Sequence, residues 1–276
     1  MKTWALIVDT WREALARYTL LGFLAVSTLF LMILAFALNL DIVDGALAAG
    51  TLFGKSLALG RKSASVDTVV VTGQSVFAGI LYVLGVFLSV FATGSQVPNL
   101  QRRGTVDLYL TRPIGRTHLL LGRFLGAATL VGANLLFLCG GVFVIISLKT
   151  HVWNLRFLAA GGLILTVFLS YLGFMYLIGV LTSSTSLSIM LPYALYVLSL
   201  PLSAHDRIAA AMDSRAAAAA VHALYWAFPK TTEIGRDLAA YVLGRATPAA
   251  IPLATTAAFG AACLALAVVA FNRKSF

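Results

Sequence analysis

The chain has 276 residues, of which 60% are hydrophobic and only 11% are charged. Soluble domains carry about 25% charged residues, so this composition excludes an ordinary soluble protein and indicates that lipid covers much of the surface. The net charge of +10 does not favour nucleic-acid binding, because the basic residues lie mostly at the ends of apolar segments and form no stripe with interleaved aromatic residues.

The first 17 residues predict an amphipathic helix along the membrane surface. Apolar residues recur at helical spacing at Trp4, Ile7, Trp11, Leu15 and Tyr18, and charged residues occupy the other face at Lys2, Asp9, Arg12, Glu13 and Arg17. Tryptophan favours the depth of the lipid headgroups. Trp4, Trp11, Arg12 and Arg17 are therefore predicted to form an interface helix, which contacts either lipid alone or a cytoplasmic partner as well.

Six apolar stretches meet or approach the length of about 20 residues that a membrane-spanning helix needs. They cover residues 18–40, 75–97, 119–148, 157–181, 187–203 and 248–271. The fifth contains Pro192 and Pro201, which predict either a kinked helix or a re-entrant pair of segments. The fold class predicted is thus an all-α polytopic membrane protein, with residues 1–276 as a single transmembrane domain.

Two long loops, residues 41–74 and 204–247, fall on the side opposite the termini. Val66–Gly73, VDTVVVTG, predicts a short strand or extended segment, and the alanine-rich run after Arg215 predicts a helix that rests on the bilayer. Ala49–Ser56 nearly matches a phosphate-binding P-loop, but it follows a membrane span and lacks the strand, helix and magnesium ligand that nucleotide binding requires. We expect this chain to bind no cofactor.

The interiors of the predicted spans contain no Asp, Glu or Lys. This disfavours ion-coupled transport and intramembrane hydrolysis, which place ionisable groups at membrane depth. His118 and Arg123 lie at a cytoplasmic end, where snorkelling towards the headgroups explains them. Asn134, Tyr171 and Tyr176 are interpreted either as hydrogen-bonding groups between helices or as part of a substrate path.

Small residues spaced by four predict close helix approach at Gly122 with Gly126, and at Ala257 with Ala261 and Ala265. Cys139 and Cys263 lie in apolar segments, and we interpret them as small buried residues without a disulfide.

Residues 101–116 carry the most informative pattern, QRRGTVDLYLTRPIGR. Thr105 is a candidate N-cap, Asp107 in the first turn complements the helix dipole, and Pro113 ends the helix. Basic residues occur in this loop, in the N-terminal segment and in the tail, and these three regions lie on the same side of a six-span chain. The positive-inside rule therefore predicts that both termini are cytoplasmic. The pattern therefore predicts a short cationic helix on the cytoplasmic side.

This pattern resembles the type-2 ATP-binding-cassette exporter permeases, whose corresponding segment reads approximately acidic-x-x-x-Gly-Thr-x-x-x-Leu-x-x-Pro-Ile-x-Arg. The residues that match this segment are Gly104, Thr105, Pro113, Ile114 and Arg116. The position of the family's leucine corresponds to Tyr109 or Leu110. The span layout, the amphipathic first helix and the basic tail fit the same family. The chain is most similar to the branch that contains the nitrous-oxide reductase maturation permease.

The resemblance implies a permease that dimerises in the bacterial inner membrane. Each copy docks a cytoplasmic ATPase, which binds ATP and Mg²⁺, and an accessory protein on the periplasmic side is compatible with the family. It also implies a coupling helix at Gly104–Pro113, braced by the N-terminal helix, with residues 182–186 as a minor contact. The coupling residues implied are Gln101, Arg102, Arg103, Gly104, Thr105, Asp107, Tyr109, Arg112, Pro113 and Arg116.

The chain departs from the family where Gln101, Arg102 and Arg103 replace the usual acidic residues, so the partner's groove is expected to be more acidic. The alternatives to a permease are a membrane scaffold or anchor that transports nothing, and an intramembrane enzyme. The substrate, and the choice between a homodimer and a heterodimer, do not follow from the sequence.

Overall fold

The computed structural model describes residues 2–43, 46–52, 55–56, 66–101, 115–212 and 214–274. Most of these residues are helical, as expected where lipid cannot satisfy backbone polar groups. The helices are α1 Lys2–Ala16, α2 Thr19–Ala37, α3 Val66–Thr93, α4 Gln96–Leu100, α5 Arg116–Thr150, α6 Leu155–Thr182, α7 Thr185–Leu202, α8 His205–Ala210, α9 Arg215–Ala227, α10 Thr231–Val242 and α11 Ala250–Arg273.

Five helical segments are long and apolar enough to cross a membrane, and they cover residues 67–100, 116–150, 155–182, 185–202 and 250–273. The first of these segments combines α3 with the short helix α4. The count rises to six if α1 and α2, which are bent by 72° relative to each other, form one span. The prediction of a helical, multi-pass membrane protein is confirmed.

A short antiparallel sheet follows α2, with strands β1 Leu38–Val43, β2 Ala46–Leu52 and β3 Lys55–Ser56 in that order. Leu38 pairs with Leu52, and Thr51 pairs with Ser56. Lys55 and Ser56, the end of the sequence that resembles a P-loop, thus lie in a strand and do not open a helix. This geometry differs from the strand, loop and helix that cradle phosphate.

The extended segment predicted at Val66–Gly73 is wrong, because these residues form the first turns of α3. The β-branched residues favour strands only weakly, and here they continue directly into the apolar run of the next span. Asp67 in the first turn also complements the helix dipole. The fifth predicted span is one helix, α7, with Pro192 and Pro201 inside it, and no re-entrant pair is present there.

The centre of the bundle is α6, whose Phe168, Tyr171 and Leu172 are almost completely buried. Its closest neighbour is α11, and the two backbones meet at Gly173 and Gly260. A Cβ atom on Gly173 would lie 3.0 Å from the carbonyl carbon of Gly260, and one on Gly260 would lie 2.9 Å from the Ser170 Cβ atom. Glycine permits this approach because it has no side chain.

Cys139 and Cys263 are free and buried, as predicted. The alanine-rich run after Arg215 is helical in α9, also as predicted. The alanines at 257, 261 and 265 are exposed along α11, and the opposite face of that helix is buried at Thr256, Gly260 and Ala267.

Candidate functional site

The candidate site lies at the end of the bundle where α4 stops and α5 begins. The interior of the predicted coupling segment lies outside the described residues. The predicted coupling residues in it are Arg102, Arg103, Gly104, Thr105, Asp107, Tyr109, Arg112 and Pro113. Gln101 and Arg116, which flank it, are described. Their contacts show what holds the two ends of this segment.

Gln101 is held by the turn between α6 and α7 and by the residues that follow α11. Its Nε2 donates to the Gly179 carbonyl at 3.0 Å, and its Oε1 accepts from Ser183 Oγ at 2.7 Å and from Lys274 Nζ at 2.7 Å. Lys274 Nζ also donates to Ser183 Oγ and to the Val180 carbonyl, each at 2.9 Å. We call Gln101, Ser183 and Lys274, with Arg116, the tail cluster.

Arg116 joins the tail cluster from the other side of the loop. Its Nη1 donates to the Lys274 carbonyl at 2.6 Å and to the Asn272 carbonyl at 3.3 Å. The Asn272 side chain in turn donates from Nδ2 to Thr117 Oγ1 at 3.0 Å. The two flanks of the predicted coupling segment are therefore tied to the same short stretch of chain at the end of α11.

A second set of contacts joins α1 to α5 through Arg123. The Arg123 side chain is only 5% exposed, and its Nη2 lies 3.0 Å from Asp9 Oδ2. Its Nη1 donates to Glu13, which also pairs with Arg17 at 3.1 Å. The prediction that Arg123 snorkels is therefore wrong, since its side chain is buried and its charge is paired with two carboxylates of α1.

The face of α1 that packs on α5 was not predicted and is separate from the exposed Trp4 of the predicted membrane-facing side. Leu6, Thr10 and Ala14 are buried, and the first two lie against glycines of α5. A Cβ atom on Gly122 would lie 2.8 Å from Leu6 Cβ, and one on Gly126 would lie 2.5 Å from Thr10 Oγ1. Tight packing predicted at these two glycines is thus confirmed, and its partner is α1.

The aromatic residues of the predicted interface helix have different surroundings. Trp4 and Tyr18 are 69% and 75% exposed. Trp11 is half-buried and donates from Nε1 to Thr129 Oγ1 at 3.2 Å. Arg12 is exposed. A small open cleft of about 20 Å³ lies beside Glu13 and Arg17 and reaches Ser95 and Asn99, so α1 forms one wall of a shallow recess at this end of the bundle.

The three residues of the predicted substrate path are buried and bonded to neighbouring helices. Asn134 Nδ2 donates to Ser27 Oγ at 2.9 Å, and the Tyr171 hydroxyl lies 2.8 Å from Thr231 Oγ1. The Tyr176 hydroxyl donates to Gln96 Oε1 at 3.3 Å. These contacts fit the hydrogen-bonding role, and a role on a substrate path stays a prediction.

Sequence reasoning missed Asp9, Glu13 and Lys274 as partners. Two signals in the sequence pointed to the contact of Arg123 with α1. Asp9 and Glu13 are spaced by four on one helix, and Arg123 is the only arginine inside the six predicted spans. Lys274 was assigned only to a basic tail. Comparisons of the chain with protein-family models and with curated proteins find no match.

Proposed function

We propose that this chain is the membrane permease subunit of a type-2 ATP-binding-cassette exporter. It uses ATP hydrolysed by a separate subunit to move a substrate out of the cytoplasm or out of the inner leaflet. The Gly-Thr and Pro-Ile-x-Arg residues of the 101–116 segment carry the resemblance to these permeases. The single structural observation that supports the proposal is the tail cluster.

The tail cluster supports coupling because it links the two flanks of the predicted coupling segment to two other parts of the chain. Gln101 contacts the α6–α7 turn, and Arg116 contacts the residues after α11. A force applied between these flanks therefore reaches α6, α7 and α11 directly through hydrogen bonds. Such a connection is what a permease needs if an ATPase moves its helices.

The proposal includes six crossings with both termini in the cytoplasm. It places the protein in a bacterial inner membrane, where a second permease copy pairs with it and one ATPase docks on each copy. The ATP and Mg²⁺ belong to the ATPase. Arg102 and Arg103 suit an acidic groove on that partner.

The test is to purify the full chain in lipid nanodiscs with its ATPase and to measure ATP hydrolysis. The double variant Asp107→Lys with Arg112→Glu reverses two charges of the docking segment. We expect the ATPase to dissociate and the hydrolysis stimulated by the permease to fall at least tenfold.

The matched control is Asp237→Lys with Arg236→Glu, which reverses the same types of charge on α10. We expect this control to retain the ATPase. Binding and hydrolysis that are equal in the two double variants would contradict the proposal, and the absence of any ATPase from the purified complex would favour a scaffold.

A further inference from the structure

The strongest feature outside the proposed coupling site is a cluster of metal-ligating side chains on α8 and α9. His205 and Asp206 begin α8, and His222 lies in the last half of α9. The packing of these two helices brings the imidazole rings of His205 and His222 to a centroid distance of 5.3 Å, with an angle of 86° between the ring planes. Two histidines and one carboxylate thus face a common point.

The distances suit a small metal ion. One ligand atom from each of His205, Asp206 and His222 lies within 4.8 Å of the others, and His205 Nε2 is 3.2 Å from Asp206 Oδ1. Ligand atoms about 2.0–2.1 Å from a tetrahedral ion lie about 3.4 Å apart. The first pair therefore already has the required spacing, and the third ligand atom, on His222, lies within 4.8 Å of the other two.

His205 is held in place by its neighbours. Its ring stacks on the Tyr225 ring at a centroid distance of 3.5 Å with an angle of 11° between the planes. The Tyr225 hydroxyl donates to Glu233 Oε2 at 3.1 Å, and Lys230 Nζ lies 4.4 Å from the centre of the same ring. A ligand whose ring orientation is fixed in this way loses little freedom when it binds an ion.

The two nitrogens of His205 have different surroundings. Nδ1 is buried and has no hydrogen-bond partner among the residues that the structure describes, while Nε2 faces Asp206. The Asp206 side chain is 81% exposed, so an ion at Nε2 is accessible from solvent. Three protein ligands with one exposed side leave a position for water or for a further ligand.

We propose that His205, Asp206 and His222 bind a divalent transition-metal ion of the Zn²⁺ type. Imidazole nitrogen and a single carboxylate favour such ions over Mg²⁺ and Ca²⁺, which prefer oxygen ligands. The 18-residue helix α7 separates this site from Ser183, a distance of about 27 Å at 1.5 Å per residue. The inference goes beyond the proposed transport function and does not depend on it.

The experiment uses the full chain in detergent, without an affinity tag. Calorimetry measures the binding of Zn²⁺ in one titration, and visible absorbance measures the binding of Co²⁺ in another. We expect one ion per chain from this site. The variant His222→Ala should weaken Zn²⁺ binding at least tenfold, and Asp206→Asn should weaken it severalfold. Excess Mg²⁺ should not compete.

The control is His151→Ala, which removes another exposed histidine, at the end of α5. Its Zn²⁺ affinity should stay within twofold of that of the unmodified chain. Alanine suits the helix that carries His222, and equal unfolding temperatures without Zn²⁺ verify folding. Identical Zn²⁺ binding by the unmodified chain, His222→Ala and Asp206→Asn would overturn the proposal.

Discussion

Arg123 Nη2 lies 3.0 Å from Asp9 Oδ2 and so joins two residues that are 114 positions apart in the chain. Glu13 binds the same guanidinium. Arg123 is a buried residue of α5, and the two acids belong to α1. The ion pairs between them therefore hold the first helix to the bundle. The N-terminal helix is therefore a fixed part of the structure and not only a surface anchor.

Removing the negative charges of α1 should destabilise the protein. In the double variant Asp9→Asn with Glu13→Gln, the buried Arg123 loses its ion pairs with α1, which costs about 3 kcal/mol of unfolding free energy. Denaturation in detergent measures the loss. Arg12→Gln, a change of charge on the exposed side of the same helix, is the control and should stay within about 0.5 kcal/mol of the unmodified chain.

A methyl group at Gly126 should push α1 away from α5. The new Cβ atom would lie 2.5 Å from Thr10 Oγ1, and overpacking of this kind costs about 1–3 kcal/mol. The matched control is Gly140→Ala on the same helix, where no atom lies within 4 Å of the new Cβ and helix propensity favours alanine. Equal unfolding free energies for the two variants would contradict the close contact.

The loss of the Lys274 ammonium should loosen the tail cluster. Lys274→Met removes donors to Gln101, Val180 and Ser183, so amide hydrogen exchange should accelerate at Gln101 and in the turn after α6. Arg273→Met, one residue earlier on the exposed side of α11, is the control. Unchanged exchange in Lys274→Met would show that this contact does not hold the turn.

Tyr225 should ionise at an unusually high pH. Burial and the adjacent Glu233 carboxylate raise its pKa from 10.0 to about 12. The folded state thus holds this proton more tightly than the unfolded state, so its contribution to stability is complete below pH 10 and is lost as the pH rises to about 12. The difference in tyrosinate absorbance between the unmodified chain and Tyr225→Phe measures this pKa. A midpoint near pH 10 would contradict the prediction.

Sequence patterns predicted the helices well, because long apolar runs in lipid permit little else. The predicted spans 119–148 and 157–181 lie within α5 and α6. The strand predicted at Val66–Gly73 failed because local β-propensity is weak compared with the continuity of a membrane helix. Whether such a β-branched segment becomes a strand or a helix thus depends on the helix it continues into and on the helices packed against it.

The orientation of α1 was harder to predict. Trp4 and Tyr18 dominate its apolar pattern, yet the face that packs on α5 consists of Leu6, Thr10 and Ala14. Leu6 and Thr10 lie against the glycines at 122 and 126, and only the three-dimensional pairing of α1 with α5 reveals this fit. The same reason hid the meeting of His205 and His222, which are on different helices.

The glycine crossing of α6 and α11 has a consequence for motion. Since the backbones touch at Gly173 and Gly260, no flexible side chain lies between them to absorb a displacement. Lys274 stands one residue beyond the end of α11. We expect a displacement of Lys274 to rotate α6 and α11 together about their contact at the two glycines. A small movement at one end of the bundle would then produce a movement at the other end.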